Sequence, residues 1–137
     1  MIIRDIRDTD RAFVLDSWWR SWCDDFCRSY RIQDAGVWIV GEGMIGLVRA
    51  LIDARGVRVR VACDDDDTDT IAGWAVTQDG VGLWGFVKMP LRRTGVWSEL
   101  AADAGVRAFA IRSSAALRWG LCEGLAYEPE MIMRRAP

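Results

Sequence analysis

The stretch Phe86-Val-Lys-Met-Pro-Leu-Arg-Arg-Thr-Gly-Val-Trp97 carries the most chemically pointed pattern of the chain. An apolar run stops at Pro90, a turn of Arg92, Arg93, Thr94 and Gly95 follows, and apolar residues at helical spacing start at Val96. A helix start offers backbone N–H groups that lack intrahelical acceptors and a partial positive charge, which together suit a pyrophosphate. Arg92 and Arg93 would add charge-assisted donors. Gly95 would let the backbone approach an anion at positive φ.

Other chemistry is excluded by composition. The chain has no histidine, so triads built on imidazole, His-ligated zinc and imidazole pH switches are absent. Cys23 and Cys27 lie four apart on a predicted helix, but with no ligand-rich partner pair the four cysteines read as reduced, buried small hydrophobes. Asp65, Asp67 and Asp69 alternate as hard-metal ligands would, yet the calcium-loop pattern fails at Thr70 and Val76, so Asp64–Asp67 reads as a solvated turn. Trp18, Trp19 and Trp22 recur at helical spacing, which makes core packing their default, although three indoles within five residues cannot all face one way. One of them is expected beside a cleft or an interface.

These groups need a scaffold, and 137 residues with 51% hydrophobic content predict one globular domain spanning 1–137. The formal charge is −2, so no overall basic field favours nucleic acid as a partner. All but one of the 18 basic residues are arginine. No apolar run is long enough for a membrane span and no signal segment is visible, which predicts a cytoplasmic protein with no membrane partner. Ile2, Ile3 and Ile6 read as a first strand, Asp8-Thr9-Asp10 as a helix start, and Arg11 to about Ser29 as an amphipathic helix. Val37–Val40 follows a loop, and Met44 to Ala54 resumes helical spacing, ended by Gly56. Val57, Val59 and Val61 alternate with arginines as a half-buried strand does. Thr70–Thr77 and Val81–Lys88 are joined by the hairpin signal Gln78-Asp-Gly80, and Gly85 predicts a bulge or a close backbone approach. Val96–Ala104 is a short helix, Val106–Ile111 a strand, Ser113–Glu123 a helix and Ala126–Met133 a last strand. The order β-α-α-β-β-β-α-β-α-β predicts an α/β (α+β) fold: a mixed sheet, antiparallel at its centre, with a parallel crossover and helices on both faces.

This order, with the Arg92-x-x-Gly95 turn, resembles the GNAT superfamily of acyl-CoA-dependent N-acyltransferases, whose pyrophosphate motif is Gln/Arg-x-x-Gly-x-Gly/Ala at the start of a helix. Gly85 and Val87 match the family's bulged central strand, the opening Met1–Asp10 its first strand and turn, and Gly124-Leu-Ala-Tyr127 its late helix-to-strand junction. Phe13-Val-Leu-Asp-Ser-Trp-Trp19 with Phe86-Val-Lys88 is similar in character to small acetyltransferase-like proteins of bacteriophages. The sequence departs from the family at Trp97, where the motif has a small residue, and at Gly120, where relatives carry a tyrosine acid.

The resemblance implies acetyl-CoA as cofactor, held by main-chain contacts of Phe86, Val87 and Lys88 and by Arg92, Arg93, Thr94, Gly95 and Val96. It implies transfer of an acetyl group to the amine of a small molecule or protein, with Glu99, Glu123 and Glu128 as unranked bases; in place of the tyrosine missing at Gly120, Tyr127 on the following strand is the expected catalytic acid, and the indoles of Trp18, Trp19 and Trp22 are read as lining the acceptor pocket. Phage DNA-base modification and a silent binding or structural domain are the alternatives, and a homodimer is left open. If Trp97 turns inward, it is expected to pack against Met44–Ala54 or the last helix.

Overall fold

The computed structural model describes the backbone of residues 1–30, 45–109 and 126–127, and the side chains of 1–24 and 45–109. The strands are β1 (Ile2–Asp5), β2 (Val57–Cys63), β3 (Ile71–Gln78), β4 (Val81–Val87), β5 (Ala108–Phe109) and β6 (Ala126–Tyr127). The helices are α1 (Arg11–Tyr30), α2 (residues 45–52) and α3 (Val96–Asp103). The strands form one sheet in the order β1-β2-β3-β4-β5-β6. β1 to β4 pair antiparallel, and β4–β5 and β5–β6 pair parallel. The mixed sheet with a parallel crossover expected from the element order is therefore found. Val37–Val40 and the helix expected at 113–123 lie outside the described residues.

Each sheet face carries its own core. On one, Val59, Val61, Trp74, Val76, Leu83 and Trp84 pack beneath Val14 and Trp18 of α1 and Val48, Leu51 and Ile52 of α2. On the other, α3 lays Val96, Leu100 and Ala104 over a floor of Ala62, Ala72 and Ala75. The contrast is one of side-chain size. Valine and tryptophan face α1 and α2, whereas alanines face α3. Leu100 is fully buried, worth about 1.5–3 kcal/mol in transfer free energy.

Two serines fix how α1 lies on the sheet. Ser17 Oγ donates to Phe13 O at 2.6 Å and accepts from Trp74 Nε1 at 2.9 Å. One turn later, Ser21 Oγ donates to Trp18 O at 3.1 Å and accepts from Trp84 Nε1 at 2.8 Å. The Trp74 and Trp84 N–H groups thus find partners inside an apolar layer, where an unpaired donor is costly. At the start of α1, Arg4 reaches both carboxylate oxygens of buried Asp10, at 2.6 and 3.2 Å, and Asp10 also accepts from Arg7 N at 2.7 Å. Arg4 holds the Asp10 carboxyl below its ordinary value, against the opposing effect of burial.

The hairpin between β3 and β4 turns through Asp79 and Gly80 at φ of 50° and 80°, the pairing that a two-residue turn with the native strand twist requires. The bulge predicted at Gly85 lies elsewhere. Gly85 pairs regularly with Ala75, while the register shifts between Val76/Trp84 and Thr77/Gly82, making Leu83 the extra residue.

Candidate functional site

The last residues of β4 divide their backbone groups between two sides. Lys88 N donates to Ala72 O at 2.9 Å, and Phe86 O lies so close to Gly73 that a Cβ there would sit 2.6 Å from it. Both residues thus turn their peptide groups toward β3. Strand alternation then points those of Gly85 and Val87 the other way, toward the β5 side. Lys88 O accepts from Leu91 N at 2.9 Å, so both backbone groups of Lys88 are engaged. Of the three residues expected to offer main-chain contacts, Val87 alone faces the β5 side. Among the described residues β5 pairs with β4 at Val81 and Gly82, and any slot farther along lies outside them.

The chain leaves β4 through a 3-10 turn, Met89–Leu91, and then runs through residues 91–95, all exposed. Thr94 Oγ1 donates to Leu91 O, closing the turn. Arg93 and Gly95 take φ of 67° and 94°; the left-handed region is unfavourable for arginine and free for glycine. Among the described residues nothing lies within 4 Å of where a Gly95 Cβ would be, so none of them crowds this backbone. Gly95 is the N-cap of α3 and supplies no side-chain acceptor. The first helical bond runs from Glu99 N to Gly95 O at 3.1 Å, which leaves the N–H groups of Val96, Trp97 and Ser98 without intrahelical acceptors. Arg92 folds back and its Nε donates to Val87 O at 3.1 Å. The turn therefore joins the β5-facing edge of β4 to the α3 N-terminus through one arginine. Val96 is buried and anchors the helix, and Glu99 is the one acidic group in its first turn.

Trp97 turns inward, but not against α2. Its ring covers Gly85, where a Cβ would come within 1.9 Å of Cζ3 and 2.3 Å of Cη2. It joins the α3-side core with Val87 and Val106, whereas α2 packs on the opposite face. Gly85 is bare because an indole lies on it, a requirement that a lone glycine in a strand pattern does not reveal.

The three α1 tryptophans part company. Trp18 is fully buried against Trp74, with ring centroids 5.7 Å apart, so its indole has no free surface for an acceptor. Trp19 and Trp22 are half-buried, and Trp22 leans on Trp84 at 6.1 Å. Phe86 stacks on Trp74 and meets Phe13 edge-on, both at 6.1 Å. The backbone of Tyr127, on β6, pairs with that of Phe109 on β5; Gly120, Glu123 and Glu128 lie outside the described residues. Cys23 and Cys63 are both buried. The acidic stretch forms exposed turns closed by its own side chains, with Asp64 Oδ1 accepting from Asp66 N at 2.9 Å and Asp67 Oδ1 from Asp69 N at 3.0 Å. Among the described residues no three potential ligands come together for a metal, and no helix is long and apolar enough to cross a membrane.

A cleft of about 470 Å³, marked by no motif in the sequence, lies between the start of α1 and the ends of β3 and β4. Thr9, Asp10, Phe13, Asp69, Thr70, Ile71 and Lys88 line it. Its one sequence signal was Lys88, the single lysine of the chain.

The sequence matches no family model and no curated protein. Among solved structures it is similar to a mutant of the BH1408 protein from Bacillus halodurans, with a TM-score of 0.55 and 14% identity, covering 91% of this chain and 92% of that one. An acetyltransferase from Vibrio fischeri aligns with a TM-score of 0.47 and 18% identity over 80% of this chain and 93% of that one. The aminoglycoside N-acetyltransferase AAC(6')-Iy in complex with CoA aligns with a TM-score of 0.39 and 17% identity over 92% of this chain and 75% of that one. At such identities the likeness to the Bacillus halodurans protein is one of fold: a mixed sheet with helices on both faces.

Proposed function

We propose that this chain is an acyl-CoA-dependent N-acetyltransferase of the GNAT type, acting on an amine. The observation that carries the reading is the Arg92–Val96 turn: exposed arginines and an unobstructed left-handed Gly95 open α3 where the β5-facing edge of β4 ends. These residues fit a CoA pyrophosphate, since the first-turn N–H groups and two guanidinium groups all donate. The indole of Trp97 lies on Gly85 and more than 4 Å from where a Gly95 Cβ would be, which supports this fit.

Bound acetyl-CoA would supply the acetyl group as an activated thioester. The chain's own residues hold and orient. Arg92, Arg93 and the Thr94–Val96 backbone receive the phosphates, and the β5-facing peptide groups of Gly85 and Val87 align what lies along the strand. Arg92 does double duty, because its bond to Val87 O ties the phosphate end to the strand edge. Tyr127, carried on β6, is the proposed proton donor. Trp19 and Trp22 remain the α1 indoles with surface to offer an acceptor.

Titration calorimetry with acetyl-CoA tests this directly. The parent should bind, and Arg92→Ala should lose about 1.5–3 kcal/mol for one charge-assisted contact. Undiminished affinity in Arg92→Glu would move the cofactor elsewhere.

A further inference from the structure

The cleft at the start of α1 contains two carboxylates and one ammonium, and their pairing is uneven. Asp10 is taken by Arg4 at 2.6 and 3.2 Å, and Asp69 by Arg7 at 3.1 Å. Lys88 Nζ instead rests 5.3 Å from the centre of the Phe13 ring, and among the described residues no carboxylate is paired with it. Since the Lys88 backbone is engaged with Ala72 and Leu91, the ammonium is the part of this residue left for a ligand. An ammonium held on an aromatic face, beside acids that each already have an arginine partner, is available to an anion.

The remaining walls narrow the ligand further. Thr9 supplies a hydroxyl, Phe13 and Ile71 supply apolar surface, and the volume of about 470 Å³ suits a small molecule. Lys88 follows Val87 directly, so the cleft adjoins the strand end at which Arg92 holds Val87 O. The arrangement calls for a ligand with an acidic head and a short apolar body, within reach of the end of β4.

We propose that this cleft receives the carboxylate of the acyl acceptor, with Lys88 Nζ as its counter-ion, so that the acceptor is a small amino acid. The acceptor assignment rests on the acetyltransferase reading; the anion site does not. The product is an N-acetyl amino acid: the amine nitrogen bonds the acyl carbon, the carbon–sulfur bond breaks, and the amine's proton leaves with the thiol. The carboxylate is unchanged in the reaction and serves only for binding.

The product class supplies probes that differ in one charge. N-acetylglycine, N-acetyl-leucine and N-acetyl-phenylalanine, each compared with its C-terminal amide, are titrated calorimetrically into the protein with and without CoA. At least one acid should bind about tenfold or more tightly than its amide, the loss expected for a charge-assisted contact. Lys88→Gln should abolish that preference and Lys88→Arg should retain it. Equal affinity for acid and amide throughout the set, no binding by any probe, or a preference that survives Lys88→Gln would overturn the proposal. So would an effect of Lys88→Gln confined to CoA, with dephospho-CoA unaffected, since the counter-ion would then be a cofactor phosphate. An acid preference without acetyl transfer to any amino acid would keep the anion site and overturn the acceptor role. An acid preference without CoA binding would leave the anion site standing and refute the enzymatic reading instead.

Discussion

Substituting alanine for Gly85 adds one methyl group in the worst available place. Its Cβ would lie 1.9 and 2.3 Å from two carbons of the Trp97 ring, whereas non-bonded carbons settle at about 3.5–4.0 Å. The ring must therefore retreat by roughly 1.5–2 Å, and overpacking of this kind costs about 1–3 kcal/mol. Swinging the ring out entirely sets a ceiling of similar size. Trp97 is half-buried, so losing about 100 Å² of indole burial would forfeit roughly 2.5 kcal/mol. Urea denaturation should show the loss as a lower midpoint at unchanged slope, and the melting temperature should fall by about 3–5 °C per kcal/mol for a chain of this size. The decisive measurement is a double-mutant cycle. In a Trp97→Ala background the added methyl meets no ring, so Gly85→Ala should cost under about 0.5 kcal/mol, giving a coupling of roughly 1–3 kcal/mol. Additive effects would mean that the indole does not rest on Gly85, and the inward placement of Trp97 would fall with it.

Three further outcomes are expected. Trp97→Gly should lower stability by about 2–4 kcal/mol, less than a fully buried tryptophan, with no gain in CoA affinity by calorimetry; tighter binding at parental stability would mean that the indole obstructs the cofactor. Ser17→Ala should cost about 1–3 kcal/mol in chemical denaturation, because it leaves the buried Trp74 N–H without its acceptor. Since Arg4 depresses the Asp10 pKa, the unfolded chain binds this proton more readily than the native one. That contribution to stability is complete above the unfolded carboxylate's ~3.9 and is lost as pH falls through the lower native value. Asp10→Asn should flatten that part of the acid-unfolding profile and, by leaving the partly buried Arg4 without its counter-charge, cost about 1–3 kcal/mol at neutral pH.

Where local chemistry decided the structure, the sequence was readable. Val57, Val59 and Val61 alternate because this part of β2 sends its valines into the core under α1 and α2 while Arg58 and Arg60 face the other way, and Asp79-Gly80 turns because both residues tolerate positive φ. Gly95 opening α3 belongs to the same class, being a backbone need with a residue signature. Features set by packing across elements were not readable. Leu83 became the bulge although nothing in Val81-Gly-Leu-Trp84 marks it; the shift between Val76/Trp84 and Thr77/Gly82 is visible only once the two strands are paired. Gly85 carried the expected mark of an irregularity, but its reason sat twelve positions away in Trp97. The main-chain role read for Lys88 failed on strand phase: its N–H points to Ala72, and only paired strands show which residues of an alternating run face which neighbour. The cleft escaped notice because Thr9, Phe13, Asp69 and Lys88 share no spacing until α1 crosses the sheet.

The paired serines of α1 bear on how this helix could vary among related chains. Ser17 and Ser21 hold indoles from two adjacent strands, so they act as two pins in one rail. Inserting or deleting a residue upstream within the helix would rotate both by about 100° and withdraw both acceptors in a single event. Drift in α1 length is therefore confined to its ends, whereas exposed positions such as Ala12, Asp16 and Arg20 can change identity freely. A lineage adapting this scaffold to a new acceptor would vary the flanks of the helix and leave its phase untouched.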